Sequence, residues 1–353
     1  MTEILDAIIP ALRPLIEADT RNPPRAIERD GALINALINA LPDFEIDVRD
    51  LDDGCFIIDC KRGASGALFN VHLDTVPVAD GWTHNPHELT LTEDRAYGLG
   101  TCDTKGAAAA LIALAQCTDL PLRFVFTTDE EAGKSRCIHA FLETPPPVDL
   151  AVVAEPTNAT ARFEHRGICS VQALFEGDSA HSSESTRISA IHEAAAFIAG
   201  ALALPEASEN RLNFGRIEGG LKPNMVAAHT ELLFGFRTRP GLAHTDVLDV
   251  LSPHARSAKL TTRFVGPSFP SDHDGPSSQA VAVARQAAET IGIPIGEPVN
   301  FWTEASLFAA AGVPTLVLGA GSITQAHNAD EFVLFEQLTT LYTLYERIAR
   351  HYG

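Results

Sequence analysis

Positive charge is scarce in this chain. Its 353 residues include 26 lysines and arginines against 46 aspartates and glutamates, which gives a formal net charge of -20 at pH 7. A protein of this sign repels the phosphates of nucleic acids and the headgroups of anionic membranes. We therefore exclude nucleic acids and anionic membrane surfaces as main partners, whereas the charge indicates little about the substrate.

Paired cysteines and long apolar runs are also missing. The six cysteines are scattered, with no Cys-x-x-Cys pair of the kind that forms a thiolate zinc site. No run of about 18 apolar residues indicates a membrane span. The first ten residues lack the basic stretch of a signal peptide. These absences favour reduced thiols and a cytoplasmic protein.

Apolar residues make up 45% of the chain, which is enough for two domains with their own cores. Strand and helix patterns alternate over residues 1–160 and 273–353, which is typical of a mainly parallel sheet covered by helices. Residues 298–302 are predicted to form one of its strands. Residues 161–272 follow the order β-α-β-β-α-β of a ferredoxin-like unit. The predicted fold class is therefore α/β, with a ferredoxin-like α+β domain inserted into the first domain.

Three apolar runs of the first domain end in residues that bind metals. The first run leads to His72 and Asp74, the second to Glu130 and Glu131, and the third to Glu155. In an open α/β sheet, ligands gather at the carboxyl ends of the strands. Three strands are therefore predicted to deliver one histidine and several carboxylates to a single edge, which indicates a metal-dependent enzyme.

Two later segments extend this set of ligands. A glycine-punctuated loop contains Asp103, and a loop before the last predicted helix contains His327. The five candidate ligands are His72, Asp103, Glu131, Glu155 and His327. Nitrogen and carboxylate ligands suit Zn²⁺, and Co²⁺ can take the same ligands. Five ligands are too many for one catalytic zinc, but one bridging carboxylate would let them hold two ions.

The motifs occur in the order seen in M20-type dizinc amidohydrolases, which the chain resembles over nearly its whole length. They are His72-Leu-Asp74, the Gly-rich loop from Tyr97 with Asp103-Thr-Lys-Gly106, Glu130-Glu131, Ala154-Glu155-Pro156-Thr157, Ala180-His181-Ser182 and the late His327. Residues 20–25, 165–168 and 301–306 resemble the acetylornithine deacetylase group, and especially its N-acetylcitrulline deacetylase branch. The resemblance implies a zinc exopeptidase-like catalytic domain and an inserted domain that acts as a lid and forms a homodimer.

The resemblance also implies a role for each metal-site residue. Asp103 would bridge the two metals, His72 and Glu155 would complete one site, and Glu131 and His327 would complete the other. Glu130 would be the general base, and Asp74 would hold the second ring nitrogen of His72.

Residues of the inserted domain would act on the substrate. His181 would stabilise the oxyanion, in the family by reaching across a dimer, while Asn224 and Arg237 would bind the substrate. Thr104 and Ala320 depart from the usual family pattern and leave the local geometry of their loops open.

Simpler interpretations remain open at this point. A histidine at a strand end is often only hydrogen-bonded, and Glu130-Glu131 would elsewhere be a solvated pair. The expected reaction is deacetylation of N²-acetyl-L-ornithine in arginine biosynthesis. N-acetyl-L-citrulline is the first alternative substrate. Succinyl-diaminopimelate desuccinylase and a small-peptide exopeptidase are further alternatives, and a metal-free binding relative is an alternative of another class.

Overall fold

The computed structural model describes residues 3–24, 27–184, 186–256 and 258–353. The chain divides into two compact units. The first unit comprises Met1–Phe163, Pro276–Pro298 and Thr303–Gly353, and the second comprises Glu164–Gly275 and Val299–Trp302. No helix within the described ranges is both long enough and apolar enough to cross a membrane.

The described helices and strands alternate along most of the chain. The helices are α1 (Glu3–Glu17), α2 (Ala32–Ala40), α3 (Lys105–Cys117), α4 (Arg136–Phe141), α5 (Ala190–Leu202), α6 (Pro205–Glu209), α7 (His244–Leu251), α8 (Pro276–Ile291), α9 (Ala305–Ala310) and α10 (Phe335–Tyr352), with a 3-10 turn at Ser252–Ala255. The strands are β1 (Glu45–Asp50), β2 (Phe56–Arg62), β3 (Ala67–His72), β4 (Thr90–Leu91), β5 (Arg95–Tyr97), β6 (Leu122–Thr127), β7 (Leu150–Val153), β8 (Ile168–Glu176), β9 (Ala180–His181), β10 (Asn213–Gly219), β11 (Met225–Val226), β12 (His229–Phe236), β13 (Lys259–Gly266), β14 (Thr315–Val317) and β15 (Phe332–Leu334).

A six-stranded sheet in the order β1-β2-β6-β3-β7-β14 forms the centre of the first unit. The four strands from β6 to β14 are parallel, whereas β1 and β2 add antiparallel pairs at one edge. Every residue of β3 and β7 is buried. Strands covered on both faces need side chains that are apolar throughout, which explains why their sequences lack an alternating pattern.

The alanine-rich helix α3 packs against α1, α10 and strand β3. Its small side chains allow close approach on all sides, and residues 105 to 115 of the helix are buried. Gly106 is required in its first turn, because a Cβ there would lie 2.3 Å from the carbonyl oxygen of Thr101. Close packing at this point fixes the start of the helix directly after Asp103.

The second unit contains a four-stranded antiparallel sheet in the order β10-β12-β8-β13. With helices α5 and α7 between the strands, this is the predicted ferredoxin-like topology. Alternate side chains of β8 and β12 are buried, and they pack with Phe197 of α5 in the core of this unit. Residues of the opposite sheet face are partly or fully exposed, including Leu174 at 40%.

The structure confirms the α/β class but corrects the sequence prediction in two places. Residues 298–302 form no strand: Trp302 packs edge-on against Phe264 at 5.7 Å between ring centroids, and its indole donates to the carbonyl oxygen of Pro267. Among the described residues, the β-pairing of this segment is limited to a single bridge between Val299 and His165. A small sheet of β4, β5 and β15 was not predicted, because strands of two or three residues are too short to show a period.

Candidate metal centre

Three neighbouring parallel strands place their carboxyl ends at one edge of the sheet in the first unit. Strand β3 lies between β6 and β7 and ends at His72. Glu130 and Glu131 follow β6, and Glu155 follows β7. The strand order therefore brings together the residues whose proximity the sequence predicted.

The candidate ligands form two groups that share Asp103. His72, Asp103 and Glu155 are the first ligand group; Asp103, Glu131 and His327 are the second ligand group. Within each group, one ligand atom from every residue lies within 4.8 Å of the others. A carboxylate common to both groups is in the position of a bridge between two cations.

The separations between ligand atoms fit a small divalent cation. Nε2 of His72 lies 3.0 Å from Oδ1 of Asp103. Nε2 of His327 lies 3.0 Å from Oε1 of Glu131 and 3.5 Å from Oδ2 of Asp103. Ligands about 2.0 Å from a tetrahedral ion are about 3.3 Å apart, so the set can close around zinc-like ions with small adjustments.

The loop that contains Asp103 is fixed on two sides. The Thr104 hydroxyl donates to the carbonyl oxygen of His72 at 2.7 Å, which joins this loop to strand β3. On the other side, the buried carboxylate of Glu331 accepts backbone N–H groups of the loop. The departure from the family pattern at Thr104 therefore supplies a hydrogen bond between two ligand-bearing segments.

Asp74 contacts Nδ1 of His72 through both its backbone and its carboxylate. Nδ1 of His72 lies 3.1 Å from the backbone carbonyl oxygen of Asp74 and 3.7 Å from its carboxylate. The carbonyl oxygen is therefore the nearer acceptor for Nδ1, and the carboxylate lies within ion-pair distance of the same atom. Nδ1 donates to this oxygen, so Nε2 is the ring atom that faces Asp103 and that would bind a cation once it carries no proton.

The carboxylate of Asp74 also orients the segment after β6. It accepts the backbone N–H groups of Glu130 at 3.3 Å and Glu131 at 3.0 Å. The amide of Asn22 donates to the same carboxylate at 3.3 Å and to the carbonyl oxygen of Thr128 at 3.2 Å. Asn22 belongs to the motif at 20–25 but received no role from the sequence. Arg25 of that motif lies outside the described residues.

Burial dominates the electrostatics of the acidic residues. It raises the pKa of Glu130 and of Glu155 well above the usual range, and the charge of His72 partly opposes each rise. Burial likewise raises the pKa of Glu131, against the hydrogen bond to His327. Neighbouring carboxylates add to all three shifts, which is the behaviour of a site with an excess of negative charge.

The pKa values of the two histidines are raised as well, through hydrogen bonds to the acids. Burial lowers the pKa of His72, but hydrogen bonds to Asp103 and Asp74 raise it overall, well above its usual value. The hydrogen bonds of His327 to Asp103 and Glu131 raise its pKa to about 10. For Asp103, the two histidines outweigh burial and lower the pKa. Cations that replace protons at this site would relieve the same imbalance.

Glu304 is a further buried acid beside this centre. Glu304 is 1% exposed, and its Oε1 has no hydrogen-bond partner among the residues that the structure describes. Burial raises its pKa to about 8, with a contribution from Asp129. The sequence placed Glu304 in a family-like motif but gave no sign of its burial, because the acid sits directly before the short helix α9.

In the second unit, the strand pair β9–β11 brings His181 and Asn224 together. His181 pairs with Met225, and the Ser182 N–H donates to the carbonyl oxygen of Asn224 at 3.1 Å. Both side chains are exposed. The predicted oxyanion donor therefore lies in β9, and one predicted substrate-binding residue directly precedes its partner strand β11.

Arg237 lies directly after strand β12, and its side chain is partly buried. Burial lowers the pKa of its guanidinium, as does the nearby charge of Arg211. The backbone carbonyl oxygen of Arg237 accepts a hydrogen bond from Arg166 at 3.2 Å. Arginines gathered in this way form a cationic surface suited to a carboxylate.

Known proteins resemble the chain at the levels of both sequence and fold. The model of peptidase family M20/M25/M40 matches residues 68–351. N-acetyl-L-citrulline deacetylase of Xanthomonas campestris pv. campestris is 43% identical over 351 residues, covering 96% of this chain and 96% of that protein.

Two solved structures share the fold. Aminopeptidase PepT from Bacillus cereus superposes with a TM-score of 0.74 at 20% identity, covering 98% of each chain. The Bacillus subtilis YXEP protein, a dinuclear metal binding peptidase from the M20 family, gives a TM-score of 0.70 at 17% identity, covering 98% of this chain and 97% of that one.

Proposed function

Because the chain belongs to peptidase family M20/M25/M40, we propose that it is a two-metal hydrolase that removes the acetyl group from an N-acetyl-L-amino acid. The observation that carries the proposal is the pair of ligand groups sharing Asp103, with Glu130 directly before the ligand Glu131. The 43% identical deacetylase supports the choice of an acetyl amide over a peptide as substrate.

The two ligand groups would each hold one divalent cation, which we propose to be Zn²⁺, with Co²⁺ as a substitute. Histidine and carboxylate ligands without thiolate suit both ions. When bound, the cations would supply Lewis acidity for the acetyl carbonyl and lower the pKa of water. They would also offset the repulsion among the buried carboxylates.

Glu130 would transfer the proton. Its carboxylate accepts a proton from the attacking water while the water oxygen bonds to the acetyl carbon. It then returns this proton to the amide nitrogen as the C–N bond breaks, so that acetic acid and the free amino acid leave; the acid ionises to acetate by releasing the second proton of the former water to solvent. Burial raises the pKa of Glu130, which favours a base that also acts as an acid. Asp74 would hold Glu130 and Glu131 in register through their backbone N–H groups.

His181 would donate a hydrogen bond to the oxyanion of the tetrahedral intermediate. The Ser183 N–H donates to Nδ1 of His181 at 3.3 Å, which favours the tautomer that carries its proton on Nε2. A neutral Nε2–H is a suitable oxyanion donor. Arg237 would bind the α-carboxylate of the substrate through its two-pronged guanidinium, and Asn224 would contribute a polar contact.

For the substrate, we propose N-acetyl-L-citrulline first and N²-acetyl-L-ornithine second. The sequence motifs placed acetylornithine first, and the 43% identical N-acetyl-L-citrulline deacetylase supports the reverse order. The two substrates differ at the far end, where citrulline has a neutral ureido group and ornithine an ammonium. With either substrate, the reaction would serve arginine biosynthesis.

Parallel rates decide among these substrates. The purified protein, loaded with Zn²⁺ or Co²⁺, is assayed on acetylcitrulline, acetylornithine, succinyl-diaminopimelate and a dipeptide. We expect the highest kcat/KM on acetylcitrulline. A higher value on acetylornithine would restore the first sequence prediction, and hydrolysis of only the dipeptide would overturn the deacetylase proposal.

We further propose that the protein is a cytoplasmic homodimer that associates through the second unit. All six cysteines are free thiols, which suits a reducing compartment. The second unit exposes large apolar side chains, including Leu221 at 86%, Ile188 at 55% and Ile217 at 51%. Apolar surface of this kind marks association sites. Sedimentation equilibrium would test the proposal, since a monomer at micromolar concentration contradicts it.

A further inference from the structure

Glu331 is a buried carboxylate that joins two ligand-bearing loops. It is 1% exposed and follows the ligand His327 by four positions in the same turn. The sequence gave it no role. Its partners all belong to the loop between β5 and α3 that carries Asp103.

Both carboxylate oxygens of Glu331 accept backbone N–H groups. Oε1 accepts those of Cys102 at 2.8 Å and Asp103 at 3.0 Å. Oε2 accepts that of Gly100 at 2.9 Å. The backbone carbonyl oxygen of Glu331 also accepts the N–H of Gly98 at 3.1 Å. The Thr101 hydroxyl donates to the same carbonyl oxygen at 3.4 Å, so hydrogen bonds from five residues of the described loop fix it against Glu331.

The neighbouring residue fixes the other side of the same turn. The carboxylate of Asp330 accepts the backbone N–H groups of Thr83 at 2.9 Å and His84 at 3.1 Å. The turn after His327 is thus anchored at two points, but only the Glu331 contacts reach the backbone of a metal ligand. The backbone N–H of Asp103 is itself one of the donors.

We propose that Glu331 is a positioning residue that sets the separation of Asp103 and His327, and so controls cation affinity in the second ligand group more than in the first. The inference rests on the proposed two-metal function. Glu331 accepts the backbone N–H of Asp103 and lies in the same chain segment as His327. Asp103 and His327 both belong to the second ligand group. The first ligand group contains only one of them, and the Thr104 hydroxyl holds Asp103 to His72 independently of Glu331.

Substitution of Glu331 by glutamine isolates this effect. The amide keeps the side-chain volume but has one acceptor oxygen in place of two, and its NH₂ group faces a backbone N–H that needs an acceptor. We expect E331Q to raise the Kd of one of the two cations by about 10- to 100-fold while the other Kd changes little. The matched control is E336Q, which removes one exposed carboxylate five positions later.

The measurement is calorimetric titration of Co²⁺ into the metal-free full-length protein, with the visible Co²⁺ spectrum followed in parallel. Wild type and E336Q should show two binding events, and E331Q should show one event weakened selectively with its part of the spectrum altered. Equal Kd values for E331Q and wild type, or equal weakening of both events, would overturn the inference.

Hydrogen exchange on the wild-type protein tests the same contacts without a variant. It therefore still tests the inference if E331Q does not fold. The amides of Gly100, Cys102 and Asp103 should be protected in the metal-free protein. Exchange as fast as in exposed loops would overturn the inference. A wild-type protein that binds no Co²⁺ would overturn the proposed function as well, whereas two normal events in both wild type and E331Q would overturn this inference alone.

Discussion

The two units differ in whether their polar side chains are buried or exposed. In the first unit, carboxylates such as Asp103 and Glu155 are buried together at one sheet edge. In the second unit, the polar residues of the open sheet face remain in contact with solvent, and His181 is exposed. Buried carboxylates need compensating charge, whereas exposed polar groups need none. The buried carboxylates of the first unit therefore indicate that it binds cations. A role for the second unit in catalysis is inferred only from the family resemblance.

Removal of metal tests this comparison with the largest expected effect. Dialysis against a chelator should abolish turnover, and added Zn²⁺ or Co²⁺ should restore it. The first unit should also lose stability, because bound cations stabilise the folded state that holds them and offset its carboxylate repulsion. Hydrogen exchange should speed up around His72 and Glu155 and stay unchanged in strands β8 and β12. Full activity in the presence of chelator would contradict this prediction. An equal increase of hydrogen exchange in both units would also contradict it.

The next largest effect should follow from Glu130→Gln. Loss of the base should lower kcat by about 10³-fold or more, since general acid–base catalysis contributes about 10²- to 10⁴-fold. Metal content should stay near that of wild type, because Glu130 lies outside both ligand groups. Kinetic assay with elemental analysis measures the two quantities. The control is the exposed acid Glu143 changed to Gln, and retained turnover in Glu130→Gln would remove the assigned base.

A smaller effect should follow from His181→Ala in the second unit. Loss of one oxyanion donor should reduce kcat by about 10²- to 10³-fold, with unchanged metal content and a small change in KM. The control is His192→Ala, which removes another exposed histidine of the second unit. If both variants keep full activity, the second unit contributes no group to the chemical step.

The smallest effect should come from Arg237→Lys. A lysine keeps the charge but loses the fork that binds a carboxylate at two points, so KM should rise by about 10-fold with little change in kcat. Arg239→Lys is the matched control, because Arg239 is exposed and pairs with Glu209 at 3.0 Å. Equal KM values for the two variants would remove Arg237 from the substrate site.

The sequence predicted most of the first unit because its signals are local. Each of His72, Glu131 and Glu155 follows an apolar run, and parallel strands align such ends at one edge. The contacts of Asp74 were harder to predict, since direction after a strand depends on the turn and not on spacing. Its carboxylate turned out to bind the backbone of Glu130 and Glu131.

Residues that are buried by contacts with distant parts of the chain could not be predicted from the sequence. Glu304 and Glu331 look like ordinary acids near helix ends, and only tertiary packing places them in the interior. The ferredoxin-like order of the second unit was predictable because its strands alternate clearly between buried and exposed positions. Residues 298–302 were misjudged because an apolar run beside a proline resembles a strand.

Because the first unit is made of separate chain segments, its last segments are synthesised after most of the second unit. Glu164–Gly275 is continuous and can fold as it emerges, while the surrounding unit still lacks strand β14. At about 5–20 residues per second, His327 follows Glu155 by roughly 10 to 30 s. Until then, the nascent chain carries the acids of the future centre without its second histidine. Binding of the full pair of proposed cations would therefore be one of the last events in the maturation of this protein.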